Sequence, residues 1–245
     1  MQINQISFLE DEKIKIARGQ VKGVIPVHKL GDVPAMSVSN TGTIWNKNDT
    51  VYPWDVFANT SILSVSSGSA SDVNKVVVLV GLDENFDIQT EAVPLATQTG
   101  NLSTKIFSRI HLAYMDNGFN NVGLISVKHG TTDVMLISAT NGQSLASVYT
   151  VPRNYTGYLY QGTCSVQYGG DGTGNMFVRV GGHSAFRLAH SFEVSGAGGQ
   201  YNYNFSFPPE IPEKSDIDVR VTNRTNNARY TAAYDLLLIK NPNTE

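Results

Sequence analysis

Cysteine is nearly absent: Cys164 is the only one in 245 residues. That excludes an intramolecular disulfide and a metal site built from cysteine alone. Charge is scarce too. Asp, Glu, Lys and Arg together supply 16% of the chain, below the ~25% usual for soluble domains. The net charge is −3 and there is no run of Lys or Arg, so binding nucleic acid through phosphate contacts is not expected. No apolar run approaches the ~20 residues of a membrane-spanning helix. The first residues also lack the apolar stretch of a leader peptide, so no membrane partner is expected. No long window shows a 3.6-residue apolar period, and only residues 103–110 hint at a helical turn.

Motifs that carry chemistry are missing as well. Asp83, Glu84, Asn85 and Asp87 resemble the opening of a calcium loop. Ile88 and Pro94 then stand where an EF-hand needs Gly and Glu, so the stretch reads as a solvated turn. The glycine-rich GGDGTGN, residues 169–175, lacks the Gly-Lys-Ser/Thr of a phosphate loop and opens no helix. It reads as a loop between two long strands. The five histidines, His28, His111, His129, His183 and His190, show no two-His zinc spacing with a third ligand nearby. His183 and His190 would meet only if a strand turn folded them together. No Gly-x-Ser-x-Gly elbow is present, and Cys164 falls inside an expected strand as a buried, inert thiol. The Asn-x-Ser/Thr triplets read as chance matches in an Asn- and Thr-rich chain. These readings assign no catalytic, cofactor-binding or metal-binding residue, and the expectation is a protein that is not an enzyme.

What the chain does contain is a repeated grammar of short β-rich runs and Gly/Asn/Asp turns. Its clearest instance is VVVLVGLDENFDIQTEAVPL, residues 76–95. Five apolar residues predict a buried strand, Asp83 to Asn85 supply turn chemistry, and residues 88–93 return as a second strand that Pro94 keeps from pairing on both edges. Asn117-Gly118, His129-Gly130 and Asn141-Gly142 mark further turns. From residue 61 the rhythm gives about a dozen strands at 8–12-residue spacing, and no crossover helices for a parallel sheet. The fold class expected is all-β: an antiparallel β-sandwich or jelly roll with an extended N-terminal arm. Residues 1–60 are expected as arm and connector, and residues 61–245 as the sandwich. Within the arm, KIKIA (residues 13–17) alternates like a strand. Residues 23–61 read as an irregular connector interrupted by Pro26, Pro34 and Pro53. The last run, YDLLLIK at 234–240, is apolar enough to be central.

Trp45, Tyr52 and Trp54 cluster beside the arm. They read as packing anchors before a sugar-stacking platform. With Arg18 and Lys22 they are the candidate interface anchors, since interface hot spots favour Trp and Tyr.

Four regions together resemble the virion structural proteins of tailed bacteriophages of the marine and cyanobacterial type. They are RGQVKGVIPVHKLGDVP (18–34), GLDENFDIQTEAVPL (81–95), VYTVPRNYTGYLY (148–160), and the closing pair PEKSDIDVRV (212–221) with YDLLLIKN (234–241). The match lies in their order and spacing across most of the chain, and it transfers no active site. The resemblance implies a β-sandwich component of the virion. The leading expectation is a capsid decoration or cement protein contacting the major capsid protein, homo-oligomeric and by analogy often trimeric. The alternative is a tail or baseplate module that adsorbs to a carbohydrate receptor through the loops 117–121, 169–175 and 196–200. A β-sandwich depolymerase is the least supported reading, because no acids are seen to converge.

Overall fold

The computed structural model describes residues 12–242 apart from 117, 119, 168, 183, 184, 197 and 226. The chain opens with a short helix, α1 (Glu12–Ala17), then strands β1 (Val24–Met36) and β2 (Thr41–Thr43). A central run follows: β3 (Ser64–Ser67), β4 (Val76–Leu82), β5 (Ile88–Pro94), β6 (Asn101–Leu102), β7 (Arg109–Met115), β8 (Ile125–His129) and β9 (Thr132–Ile137). The remainder is β10 (Val148–Thr150), β11 (Tyr155–Gln167), β12 (Asp171–Arg179), β13 (Arg187–Ser195), β14 (Gln200–Asn204), β15 (Glu210–Ile211), β16 (Asp216–Asn223) and β17 (Ala228–Lys240).

The outer parts of the chain pair in a nested order, every pair antiparallel. β1 joins β17, β2 and β10 join β16, β11 joins β14, and β12 joins β13. The result is two sheets, β1-β17-β11-β14 with β15 on β11, and β10-β16-β12-β13 with β2 on β16. They form a sandwich. β17 alternates strictly, burying Tyr230, Tyr234, Leu236 and Leu238 against Met176, Ile217, Val219 and Val221 of the second sheet. As expected from its apolar run, β17 is central, flanked by β1 and β11.

β2 and β10 occupy one interrupted strand position. Thr43 pairs with Arg220 and Val148 with Asp218. Between them, Ile44 N donates to Val219 O at 2.9 Å, and Ser147 N donates to Ile44 O at 3.0 Å. Residues 45–146 leave and return through that gap. They build a second β-unit from the sheets β6-β3-β8-β9 and β5-β4-β7, with its own core of Leu63, Leu79, Phe107, Ile110, Ile125 and Met135. Gly31 of β1 passes against the junction. A Cβ there would lie 2.1 Å from Ile44 O and 2.6 Å from Ser147 N, so no larger residue fits.

Several expectations are corrected. Residues 24–36 are not connector but a thirteen-residue strand. Pro26 and Pro34 are tolerated because β1 is an edge strand that pairs with β17 alone, and the register slips between Val33 and Met36. The division expected at residue 60 gives way to a sandwich from both ends of the chain and a unit inserted between them. KIKIA is helical. Gly19 (φ 68°) ends it with Gly19 N donating to Ile16 O and Gln20 N to Lys15 O, a Schellman cap, while Lys15 reaches Glu12 at 2.8 Å. The stretch 171–174 is strand rather than loop. Its glycines lie under rings: a Cβ on Gly174 would meet Phe192 and one on Gly172 would meet the Tyr230 hydroxyl. No helix forms at residues 103–110, where β7 begins at Arg109.

Candidate functional site

The densest chemistry lies where the inserted unit docks on the sandwich. β16 reads Asp-Ile-Asp-Val-Arg-Val, so the period of two sends Ile217, Val219 and Val221 into the sandwich core and Asp216, Asp218 and Arg220 to the opposite face. That face meets the inserted unit rather than water, and both aspartates are fully buried.

Asp216 is saturated. It accepts from Arg109 Nε (2.8 Å) and Nη2 (3.2 Å), from Arg179 Nε (2.9 Å) and Nη2 (2.7 Å), and from Thr150 Oγ1 (2.6 Å). Arg109 belongs to β7 of the inserted unit, whereas Arg179 and Thr150 belong to the sandwich. Asp218 accepts from Trp54 Nε1 (2.9 Å), Thr43 Oγ1 (2.8 Å) and Arg220 Nε (2.8 Å). Burial pushes its carboxyl above the ordinary carboxylate value, opposed by Arg220 and the Trp54 and Thr43 bonds.

Deeper in the seam, Lys29 of β1 donates from Nζ to His111 O of β7 at 2.5 Å. Burial brings the Lys29 ammonium down to about 8. His111 is buried against Tyr149, ring centroids 4.2 Å apart, and its Nε2 accepts the Thr150 amide at 3.2 Å. An accepting nitrogen carries no proton. Burial, followed by the charges of Lys29 and Arg109, accordingly holds the imidazole well below its usual value.

At its open end the seam widens into a cleft of about 400 Å³ between Trp54, Phe57, Phe86, Arg109 and Arg179. Guanidinium planes cover the rings: Arg179 lies 5.6 Å from the Trp54 centroid and 4.7 Å from that of Phe186, and Arg109 lies 5.3 Å from that of Phe86. Phe86 sits at φ 66°, held by Arg153 N donating to its carbonyl. With both aspartates accepting from arginine, the arrangement is a joint that fixes one unit on the other.

The candidate anchors divide into two groups. Trp45, Tyr52 and Trp54 are 1, 2 and 5% exposed and pack edge to face in the core of the inserted unit. Trp45 and Tyr52 are enclosed and Trp54 shows only an edge in the cleft, which corrects their assignment as contacts to a partner. Trp54 is an anchor within the chain, through its bond to Asp218. Arg18 and Lys22 are exposed in the segment after α1. Among the described residues no contact joins them to the aromatic cluster, whose surface is limited to the Trp54 and Phe57 edges in the cleft.

Other expectations concern single residues. Cys164 is buried and its thiol is pushed up to about 12 by burial. In the acidic loop, Asp83 Oδ1 accepts the amides of Asn85 (2.8 Å) and Asp87 (2.9 Å), and Arg153 pairs with Asp87, as in a self-bonded turn. Among the described residues no three His, Cys, Asp or Glu side chains converge on a metal position. His183 lies outside the described residues, while His190 packs among Tyr201, Tyr203 and Phe205. The loops 117–121 and 196–200 include residues outside the described set, and most of 169–175 belongs to β12.

The seam itself was not anticipated. Its signal was present in SDIDVRV, where acid and apolar residues alternate and end on a base, a pattern that needs a polar partner if the strand is central.

No protein-family model matches the chain, and no curated protein does. Weak structural neighbours are viral capsid structures. The cowpea mosaic virus top component, a naturally occurring empty particle, is 11% identical over 76% of this chain and 83% of its own, with TM-score 0.23. The VP2 subviral particle of infectious bursal disease virus is 9% identical over 91% and 74%, with TM-score 0.23. The structure of the Gx strain of that virus is 10% identical over 91% and 72%, with TM-score 0.26. Overlaps this slight establish no common fold, so the functional reading rests on the chain's own features.

Proposed function

We propose that the protein is a non-enzymatic structural component of a tailed-phage virion, a jelly-roll subunit that decorates or cements the capsid surface. The observation that carries this reading is the nested strand order. First strand pairs with last, second with seventh, third with sixth and fourth with fifth, the interrupted β2/β10 counting as one and β14 with β15, both on β11, as another. That is the folded-over hairpin of a jelly roll, an architecture shared by capsid and lectin domains. Fold alone does not carry function. The second support is that the segments resembling phage virion proteins fall on its framework, namely β1, β10 with β11, β16 and β17, and on the β4–β5 hairpin of the inserted unit. Its partners in this reading are the major capsid protein and further copies of itself, a trimer being the working stoichiometry, with neither nucleic acid nor membrane involved. Arg18 and Lys22, exposed beyond α1, remain the proposed contacts of the arm.

Immunogold electron microscopy on particles of the encoding phage, with antibody to this protein, tests the reading. Dense label over the head is the expected result. Label restricted to the tail or its tip would replace decoration with the adsorption role. Particles without label would overturn a virion role altogether.

A further inference from the structure

The outward face of the sheet β1-β17-β11-β14 carries a groove that the virion reading does not use. Two adjoining depressions, about 420 and 520 Å³, share His28, Gln161 and Asp235 as common lining. One half is polar, with Thr163, Asn202 and Asn204 beside those three, and Asp235 is its one carboxylate. The other half is apolar, walled by α1 and floored by Pro26, Tyr160 and Leu237. Their joint volume is that of a small-ligand site.

Three features distinguish this face from an ordinary solvated sheet surface. First, β11 bulges between Leu159 and Gln161, so Tyr160 and Gln161 both stand on the outer side where regular alternation would show one. Second, the bulge leaves Tyr160 42% exposed, with Lys13 Nζ 5.2 Å from its ring centroid on the α1 side. Third, Asp235 organises its neighbours: Oδ1 meets His28 Nδ1 at 2.5 Å and Oδ2 accepts Gln161 Nε2 at 2.6 Å. Both of its oxygens are thus engaged. His28 Nε2 and Gln161 Oε1 are left as fixed polar groups beside an aromatic ring.

We infer that this groove binds a neutral oligosaccharide, one sugar ring stacked on Tyr160 and its hydroxyls bonded by Gln161, His28 and Asn202. Amide, imidazole and hydroxyl groups along one face match vicinal hydroxyls, which donate and accept in turn. An exposed Tyr supplies the apolar face that sugar C–H groups require. An anionic ligand is disfavoured, because Asp235 lines both halves and Glu12 offsets Lys13 in the apolar one, leaving no net positive charge to attract it. The inference concerns the isolated protein, so its failure would leave the particle-labelling outcome untouched.

The test is saturation-transfer NMR on the purified full chain with cellohexaose, maltohexaose, laminarihexaose, xylohexaose and mannohexaose. At least one is expected to receive saturation. Tyr160→Ala should weaken that binding about tenfold, the order expected for losing one aromatic contact. Tyr160→Phe, which keeps the ring, should retain it, and so should Ile88→Ala on the inserted unit. Circular dichroism checks that each variant folds. Absence of transfer to all five sugars overturns the inference. Binding that Tyr160→Ala leaves unchanged overturns it too, since the sugar would then sit elsewhere.

Discussion

Replacing Asp216 with Ala removes the acceptor on which the seam converges. Five hydrogen bonds between 2.6 and 3.2 Å end on its two oxygens, four of them from guanidinium groups. The side chains of Arg109 and Arg179 are 6 and 12% exposed, so water entering from the cleft replaces only part of the lost carboxylate's bonds. Two enclosed cations then lose their shared carboxylate, Arg179 keeping among the described residues only the exposed Asp55 at 3.9 Å and Arg109 only the Ser108 carbonyl. Breaking a buried ion pair from one side costs about 3–5 kcal/mol, against a total stability of about 5–15 kcal/mol. For a chain of this size that is a fall in melting temperature of about 6–20 °C. Thermal and urea melts followed by circular dichroism read it directly. Removing all three groups together, as Asp216→Leu with Arg109→Met and Arg179→Met, should restore much of the stability, because no buried charge remains. It should not restore a fixed orientation of the inserted unit, and small-angle scattering would show a broader particle. A loss below about 1 kcal/mol for Asp216→Ala would refute the reasoning.

Lys29 makes stability depend on pH. Its ammonium falls from an ordinary 10.5 to about 8 on folding. Between those values the unfolded chain holds a proton that the folded chain has released, so stability rises with pH, by up to about 3 kcal/mol. Below pH 8 the slope vanishes. Measured as wild type minus Lys29→Met, so that tyrosines and Cys164 cancel, a flat difference from pH 8 to 10 would sink this account. Gly31→Ala places a Cβ against Ile44 O and Ser147 N, and should cost about 3 kcal/mol or more through overpacking; an unchanged urea midpoint would show the junction to be looser than described. Cys164, buried with its thiol pushed up to about 12, should react with a thiol-directed disulfide reagent at pH 8 only in denaturant. Stoichiometric reaction of the native protein within minutes would contradict its enclosure.

Local signals in the sequence reported local structure well. The β4–β5 hairpin was legible because five apolar residues, a self-bonding Asp83 turn and Pro94 all lie within twenty positions. β17 was legible because its apolar run is long and its neighbours β1 and β11 both need it. β1 was missed because Pro26 and Pro34 read as breakers unless one knows that the strand lies on an edge. The glycines at 172 and 174 read as a loop because the rings that exclude a side chain, Tyr230 and Phe192, lie far along the chain. The interrupted strand had no local mark at all. Three residues at 41–43 and three at 148–150 become one strand position only in the presence of β16. The seam failed for the same reason: Arg109 and Asp216 are separated by 107 positions.

An inserted unit tethered by two crossings one residue apart is a hinge unless something else holds it. An apolar contact would bury area without fixing direction, since dispersion and the hydrophobic effect are non-directional. The seam uses planar guanidinium forks on carboxylates and an indole N–H on Asp218, and each of these bonds weakens steeply when rotated. β16 is suited to carry them because its two faces have separate tasks. Ile217, Val219 and Val221 hold the sandwich together, and Asp216 and Asp218, the latter braced by Arg220, hold the insert against it. Moving β16 by one residue would exchange the two sets, placing charge in the sandwich core and valine against arginine. One strand therefore sets both the register of the sandwich and the orientation of the insert, and any subunit contact spanning the two units inherits its geometry from that alternation.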